Sequence, residues 1–355
     1  MNRAPLHGIL FALAAGLMWG LVFVGPLLLP EYPATLQTFG RYLAFGLIAL
    51  PLGWFDRARL RQLERADWLE ALKLALVGNV VYYLLLASAI QRAGGPVPTM
   101  IIGTLPVVIT VASRWRRRGA DAAAGSGAGS GANEPEPQLS WPRLAPSLIL
   151  FGVGLGLVNH VEWLALRADA KADLGRYALG ALLAAGAVVC WTWYPLRNAR
   201  WLRAHPDRSP RAWATAQGLA TLPLALLGYG ATWVWHVASA DAISTPTSTP
   251  MPMPMPFGPR AADFLLLMFA IGLFASWLGT LCWNEASQRL APALAGQLIV
   301  FETLAALSYA FVLRRQLPPP ETLLGIALLV AGVVWAVRSQ PTPVPADVQV
   351  AAHPN

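Results

Sequence analysis

Residues 7 to 29 read HGILFALAAGLMWGLVFVGPLLL, an apolar run that contains no Asp, Glu, Lys or Arg. A membrane-spanning helix needs about 20 such residues, because each adds about 1.5 Å across a hydrocarbon core about 30 Å thick. The run exceeds the apolar region of a typical signal peptide, and many similar runs follow it along the chain. We therefore interpret it as the retained first span of a polytopic membrane protein.

The composition of the whole chain indicates the same class. The 355 residues are 56% hydrophobic and only 12% charged, whereas about 25% of the residues of a typical soluble domain are charged. The net charge of +8 comes mainly from arginines clustered between apolar runs, as in loops beside a bilayer, which argues against a nucleic-acid partner. Cys190 and Cys282 both lie in apolar stretches, so we predict neither a disulfide framework nor a cysteine-based metal site.

Further apolar runs of similar length follow the first, and they lack the alternation expected of membrane β-barrel strands. We therefore predict an all-α polytopic membrane protein with ten transmembrane helices. These spans lie near residues 7–29, 35–55, 69–90, 94–113, 144–166, 177–198, 213–236, 263–286, 291–313 and 321–338.

Three low-complexity stretches flank or interrupt the spans. Residues 119–138 are rich in small residues and predict a flexible linker. Residues 238–260 form a proline-rich loop, and residues 339–355 form a tail that we expect to be disordered. With the N-terminus in the cytoplasm, 17 positive residues fall on the inner side and seven on the outer side. The positive-inside rule therefore places both termini, the linker and the tail in the cytoplasm.

The chain also contains an internal repeat. The segment ASAIQRAGGPVPTMIIGTLPVVI from Ala87 parallels NEASQRLAPALAGQLIVFETLAAL from Asn284, and Trp19 in the first span parallels Trp191 in the sixth. An odd number of spans in each half places the halves in opposite orientations. We therefore predict a 5+5 inverted repeat, with one five-helix half at 1–168 and the other at 175–338.

These features resemble the EamA branch of the drug/metabolite transporter superfamily. The resemblance rests on the paired Gln-Arg turns, on W-G-x-x-F-x-x-P from Trp19 and on R-Y-L-x-F-x-L-I-A-L-P from Arg41, and it covers nearly the whole chain except the linkers and tail. It implies a secondary transporter of the cytoplasmic (inner) membrane, commonly an exporter of amino acids, metabolites or drugs, with a central cavity between its halves. The chain departs from the repeat at Glu302, where the first half has Pro106.

Polar side chains inside spans are costly, so we expect them to face the bundle interior or a wet cavity. Glu302 lies near the middle of the ninth predicted span with no charged neighbour within about a turn. Burial disfavours the ionised form of such a carboxyl, a property that a proton-coupling group requires. The alternative is a permanently protonated carboxyl that bonds a neighbouring helix.

The other candidates each have a functional and a structural interpretation. Arg41 provides either a counter-charge for a carboxylate substrate or a side chain that snorkels to the interface. Asn79 and Tyr83 form one polar stripe with Tyr82, and the tryptophans suit either stacking on a solute or packing. The candidate substrate-binding residues are Trp19, Arg41, Asn79, Tyr83, His160, Trp191 and Gln297, and Glu302 is the proton-coupling candidate.

Small residues and one charge pair have structural interpretations. The Gly16/Gly20 and Gly152/Gly156 pairs, and the series Gly272, Ser276 and Thr280, predict close helix contacts. Glu285 precedes Arg289 by four residues, which suits an ion pair within one helix.

Signatures of enzymes are absent from the sequence. It contains no H-E-x-x-H, no phosphate loop and no G-x-S-x-G elbow. We therefore predict no catalytic residue, no cofactor and no metal, and a solute or ion gradient as the energy source. The expected partners are a small-molecule substrate, the lipid bilayer and, as one hypothesis, protons, with a monomeric or homodimeric state. The alternatives are a lipid or lipid-linked sugar flippase with a laterally open cavity and an intramembrane enzyme that uses His160 and Glu162.

Overall fold

The structure, a computed structural model, describes residues 4–94, 96–109, 111–112, 141–168, 173–242, 254–315 and 317–339. The regular secondary structure of these residues is entirely helical, which confirms the all-α class. The helices in chain order are α1 (Ala4–Gly20), α2 (Val24–Leu28), α3 (Ala34–Phe55), α4 (Arg57–Leu60), α5 (Arg65–Leu74), α6 (Tyr82–Ala93), α7 (Pro96–Ile102), α8 (Trp141–Ala168), α9 (Leu174–Ala204), α10 (Pro210–Ala242), α11 (Ala261–Ile271), α12 (Gly279–Arg289), α13 (Pro292–Leu298), α14 (Val300–Arg314) and α15 (Pro320–Arg338).

Helical residues occur at each of the ten predicted positions. Among the described residues, six helical stretches are long and apolar enough to cross a membrane. The count of ten spans stays a prediction. The six stretches are Leu6–Leu28, Arg65–Ala93, Leu174–Ala204, Ala261–Arg289, Leu294–Leu313 and Pro320–Arg338.

The predicted linker and tail lie almost wholly outside the described residues, as do residues 243–253 of the proline-rich loop. The predicted start of that loop was wrong. Helix α10 continues to Ala242, because nothing in the sequence stops it: the first proline of the loop is Pro246.

Two of the long stretches share an unusual feature. Each has 29 residues and contains a seven-residue π-helical segment, at Ala75–Val81 between α5 and α6 and at Gly272–Leu278 between α11 and α12. Gly272 follows Ala75 by 197 positions, the same interval that separates the Gln-Arg pair at 91–92 from that at 288–289. The π segments therefore occur at equivalent positions of the sequence repeat.

The helix contacts also come in matching pairs. Helix α3 packs along α10, and α8 packs along α15. Helix α9 packs against α6 and α7, whereas α1 packs against α12 and α14. The first helix of each predicted half therefore contacts the third and fourth helices of the other half.

Glycines allow the closest of these approaches. At the crossing of α8 and α15, a Cβ atom at Gly154 would lie 2.7 Å from the Gly325 carbonyl oxygen, and one at Gly325 would lie 2.6 Å from the Gly154 oxygen. The predicted contact at Gly152 and Gly156 is wrong, because a Cβ atom at either position would meet nothing within 4 Å. Gly154, between them on the opposite side of α8, is the contact residue.

The other small-residue predictions agree with the structure. Gly16 and Gly20 lie against the backbone of α14, where an added Cβ atom would come within 3.1 Å of Glu302 N and 2.9 Å of Ala306 N. Gly272 packs against α3, where an added Cβ atom would lie 3.0 Å from Phe45 N. These positions bring the helices of the two predicted halves close together.

Side-chain contacts join the helices where α3 ends, a region we call the charged end. There Arg211 pairs with Asp56 at 2.9 Å, and Arg197 donates to both carboxylate oxygens of Glu70. Arg289 forms the predicted ion pair with Glu285 within α12.

A second set of contacts lies where α3 begins, which we call the Tyr32 end. The Tyr32 hydroxyl donates to Phe257 O at 2.9 Å and accepts from Arg260 N at 2.8 Å, and its ring stacks on Phe264. Burial is the main cause that raises the pKa of this phenol, which keeps the donor protonated. Gln91 Nε2 donates to Tyr32 O at 2.6 Å. The described part of the proline-rich loop thus covers this end of the bundle.

Candidate functional site

Six side chains from α1, α3, α6, α9 and α14 lie in two contacting groups in the interior of the bundle. We call the six together the central cluster. All six are buried, Arg41 and Glu302 at 4% and 1% exposure. They combine one cation, one carboxyl group and four aromatic rings. The members are Trp19, Arg41, Tyr82, Tyr83, Trp191 and Glu302.

An interruption of the helix at Ile299 determines the position of Glu302. The sequence predicts one continuous span over residues 291–313, but α13 ends at Leu298 and α14 begins at Val300. Glu302 therefore lies in the first turn of α14, where the positive end of the helix dipole favours a carboxylate. Its Oε2 accepts from Trp191 Nε1 at 3.1 Å, and its Oε1 is 3.5 Å from the Tyr82 hydroxyl. Although no charged residue lies within about a turn of Glu302 in the sequence, its carboxyl group contacts side chains of two other helices.

The aromatic rings form a continuous stack beside this carboxyl group. Trp191 stacks on Tyr82 with ring centroids 4.4 Å apart and on Tyr194 at 5.2 Å. Trp19 meets Trp191 edge-on at 4.8 Å and Trp283 at 5.2 Å. Trp19 and Trp191, which the sequence indicates as repeat-related residues, are therefore in contact, and this contact joins the first helix of each predicted half.

Arg41 does not snorkel to an interface, since its side chain is buried. Its Nε donates to Ser276 Oγ at 3.0 Å, and its guanidinium carbon lies 4.5 Å from the Tyr83 ring centroid and 4.9 Å from that of Tyr42. Such cation–π contacts stabilise a cation that is removed from water. Its Nη1 atom has no hydrogen-bond partner. The charge of Arg41 acts on Glu302, but the described residues contain no ion pair between the two within 4.0 Å.

Asn79, Tyr82 and Tyr83 do not form the single stripe that regular helical spacing predicts. Asn79 lies in the first π segment and donates to Thr221 Oγ1 of α10 at 3.2 Å. Tyr82 faces Glu302, whereas the Tyr83 hydroxyl donates to Val22 O at 3.2 Å. The wider π turn changes the angle between Asn79 and the tyrosines, so these side chains contact different helices.

Two predicted residues lie apart from the central cluster. Gln297 is fully buried on α13, and neither its side-chain nitrogen nor its oxygen has a partner. His160 is exposed on α8, so the structure does not bring it into the cluster. The side chain of Glu162 lies outside the described residues. Among the described residues, no group of three or more His, Cys, Asp or Glu side chains is placed to hold a metal ion.

Sequence reasoning missed a buried polar network beside the cluster. Asn198 Oδ1 accepts from Trp213 Nε1 at 2.8 Å and from Gln217 Nε2 at 3.1 Å, and its Nδ2 donates to Asn284 Oδ1 at 2.8 Å. Gln217 Oε1 in turn accepts from the Tyr194 hydroxyl at 2.9 Å. The signal available in the sequence was the occurrence of Gln217 in an apolar stretch, where an amide needs a partner.

Comparison with known proteins supports this description. Over 336 residues, the chain is 54% identical to the inner membrane protein YtfF of Escherichia coli (strain K12), and the alignment covers 95% of this chain and 96% of YtfF. Residues 6–118 match the model of the EamA-like transporter family. The chain belongs to the EamA-like transporter family. Membership of this family indicates a membrane transporter rather than an enzyme.

The fold also has a counterpart among solved structures. One crystal structure is similar over 93% of this chain and 96% of its own, with a TM-score of 0.62 and 17% sequence identity. The all-helical arrangement of this EamA-like protein therefore occurs in a solved structure with little sequence in common.

Proposed function

We propose that the chain crosses the inner membrane ten times, as two inverted halves of five helices at 1–168 and 175–338. The matching helix contacts, the π segments 197 positions apart and the reciprocal contact of Gly154 with Gly325 support this arrangement. An approximate two-fold axis in the membrane plane exchanges helices in this way. The linker at 119–138 and both termini then lie in the cytoplasm.

Reporter fusions test this topology. A reporter that fluoresces only in the cytoplasm should be active when fused to the N-terminus, after residue 128 or at the C-terminus. A fusion after Pro246, in the proline-rich loop, should be inactive, because this loop lies outside. An active reporter at Pro246, or an inactive one at the C-terminus, contradicts the ten-span arrangement.

Within this framework we propose a secondary-active exporter of small metabolites, such as amino acids or drug-like solutes, that works by alternating access. The observation that carries this proposal is the central cluster, in which a buried cation and a buried carboxyl group meet aromatic rings from both halves. Because burying charge is costly, such groups mark solute and ion paths. Arg41 would hold a substrate carboxylate, and Trp19 and Trp191 would pack on its apolar part.

Glu302 is the proposed proton-coupling group. Its contact with Trp191 of α9 lies within the second half, whereas its contact with Tyr82 of α6 joins the two halves. A change in its protonation state therefore alters a contact between the halves. Protonation replaces an acceptor-only carboxylate by a group that also donates. That change links proton binding to the relative position of α14, α6 and α9.

Replacement of Glu302 by Gln tests coupling. The Glu302→Gln protein in proteoliposomes should lose the response of solute flux to an imposed pH gradient, because the amide cannot bind a proton at this position. Glu321→Gln is the matched control, since Glu321 is exposed at the start of α15, and it should respond like the wild type. A full response to the pH gradient in the Glu302→Gln protein would remove Glu302 from the coupling role.

A lipid or lipid-linked sugar flippase is the second candidate, because one observation favours it. An apolar groove of about 670 Å³ lies between α3, α10 and α11, and its walls include the exposed side chains of Leu47, Leu265 and Phe269. Such a groove opens towards the bilayer, as a flippase requires. A fluorescent lipid in the same proteoliposomes separates the candidates: pH-independent lipid flipping without solute flux would favour the flippase.

A further inference from the structure

Several polar atoms near the charged end are buried without hydrogen-bond partners. They are Trp283 Nε1, Ser287 Oγ and both polar side-chain atoms of Gln297, and each of these side chains is at most 2% exposed. Leaving a buried polar group unpaired costs about 1–3 kcal/mol. Native proteins usually satisfy such groups with water when no protein partner is in reach.

A small cavity lies beside two of these residues. Trp283 and Ser287 are one turn apart on α12, so they face the same side, and both line a cavity of about 10 Å³. That volume admits about one water molecule. Gly296, the residue before Gln297, lines the same cavity, as does Arg203, whose side chain is exposed at the end of α9.

Pro195 removes one helical hydrogen bond beside this cavity. It lies inside α9 and lines the cavity. Proline has no backbone N–H, so the helical bond to the carbonyl of Trp191 is missing. The cavity thus adjoins a stretch of α9 in which one regular backbone hydrogen bond is missing.

The unpartnered groups lie at increasing depth between the charged end and Glu302. Gln297 is five residues into α13, and Glu302 is five residues beyond it, which corresponds to about 7–8 Å of helix rise for each step. The rings also connect the two places, since Trp283 contacts Trp19, Trp19 contacts Trp191 and Trp191 bonds Glu302. The charged and titratable side chains that act on Glu302 are Arg41 and Tyr82, and neither reaches the charged end.

We propose that Trp283, Ser287 and Gln297 line a water-filled path by which protons pass between Glu302 and the charged end of the bundle. A hydroxyl and an amide can each donate and accept, so they orient water molecules without binding a proton themselves. The proposal rests on the coupling role of Glu302 proposed above. It adds the side of the bundle on which the proton path opens and the residues that guide the proton.

Hydroxyl-radical footprinting of the wild-type protein tests whether water is present. Radicals formed from water close to a side chain oxidise it, so Trp283 should be modified faster than Trp213. Trp213 is the matched control because it is also buried but its Nε1 donates to Asn198. Modification of Trp283 as slow as that of Trp213 would contradict a water-filled path.

Thiol labelling provides a second measurement that does not depend on oxidation of tryptophan. With Cys190 and Cys282 replaced by Ala, Ser287→Cys should react with a small charged methanethiosulfonate at least tenfold faster than Ala286→Cys, which points into packed protein. Equal labelling rates of the Ser287→Cys and Ala286→Cys proteins would contradict the water-filled path. Neither measurement needs a pH gradient, so the path can be tested apart from the coupling role. Fast labelling of Ser287→Cys together with a wild-type pH response of solute flux in Glu302→Gln would support the water-filled path and reject the coupling role of Glu302.

Discussion

The buried polar side chains fall into two groups: those whose polar atoms form hydrogen bonds within the protein, and those with polar atoms that lack a partner. Asn198, Gln217 and Asn284 bond one another across α9, α10 and α12, which stabilises the contact between these helices. Gln297, by contrast, lacks partners at both polar atoms, and Arg41 lacks one at Nη1. An unsatisfied donor on a buried cation is what a substrate carboxylate would need, so Arg41 remains the leading residue for substrate contact.

A single methyl group at the crossing of α8 and α15 should destabilise the protein. Gly325→Ala places a Cβ atom 2.6 Å from the Gly154 carbonyl oxygen, and since backbone must move, we expect a loss of about 1–3 kcal/mol. Gly152→Ala is the matched control, because nothing lies within 4 Å of the added atom and alanine favours the helix. Thermal unfolding in detergent measures both. A Gly325→Ala protein as stable as Gly152→Ala would show that α8 and α15 do not cross at this glycine.

At the scale of elements, the π segments decide which side chains meet. A π turn contains one residue more than the α-helical pattern requires, so it rotates the residues that follow it. Tyr82 and Tyr83 come directly after the first π segment, and Ser276, which binds Arg41, lies within the second. Both segments therefore position contacts of the central cluster.

Deletion of Val77 should dismantle the cluster while the helix persists. Loss of one residue from the first π segment would restore the α-helical register and rotate the residues that follow by about 100°, so that Tyr82 leaves Glu302. We expect solute flux to fall to background, whereas Val77→Ala, which keeps the number of residues, should retain flux. Circular dichroism checks that both proteins are equally helical. Normal flux in the deletion protein would show that the π register is not required.

At the scale of the whole molecule, both ends of the bundle carry contacts between the two proposed halves. Asp56 pairs with Arg211 at the charged end, and Tyr32 bonds Phe257 and Arg260 at the other. Alternating access requires that a central site open to one side at a time. Under the proposed alternating-access mechanism, the contacts at the two ends would therefore not persist together throughout a transport cycle.

A reversible link across the charged end should stop transport. With the native cysteines replaced, Asp56→Cys and Arg211→Cys joined by a short bis-methanethiosulfonate should abolish flux, and reduction should restore it, because the halves can no longer separate there. Each single variant treated with the same reagent controls for modification itself. Undiminished flux in the linked protein would exclude opening between Asp56 and Arg211.

Much of the fold could be predicted because its signals are local. The run at 35–55 predicts α3, observed at Ala34–Phe55, almost to the residue. The site was less predictable. Trp191 contacts both Trp19 and Glu302, and Arg41 contacts Tyr83. Tyr82, Ser276 and Gln217 were not among the predicted site residues, and exposed His160 lies apart. The free-energy cost of burying polar groups identifies polar residues within spans as candidates. It does not determine which neighbouring helix each side chain faces.

The sequence by itself determined that this protein is an all-α membrane protein of the EamA-like family, and where its helices lie. In a bilayer each helix must satisfy its own backbone hydrogen bonds, so apolar length alone reveals its position. Only the tertiary structure decided how the polar residues meet. Their directions depend on the π turns, on the break at Ile299 and on glycine contacts such as Gly154 with Gly325, and these arise from packing between helices distant in sequence.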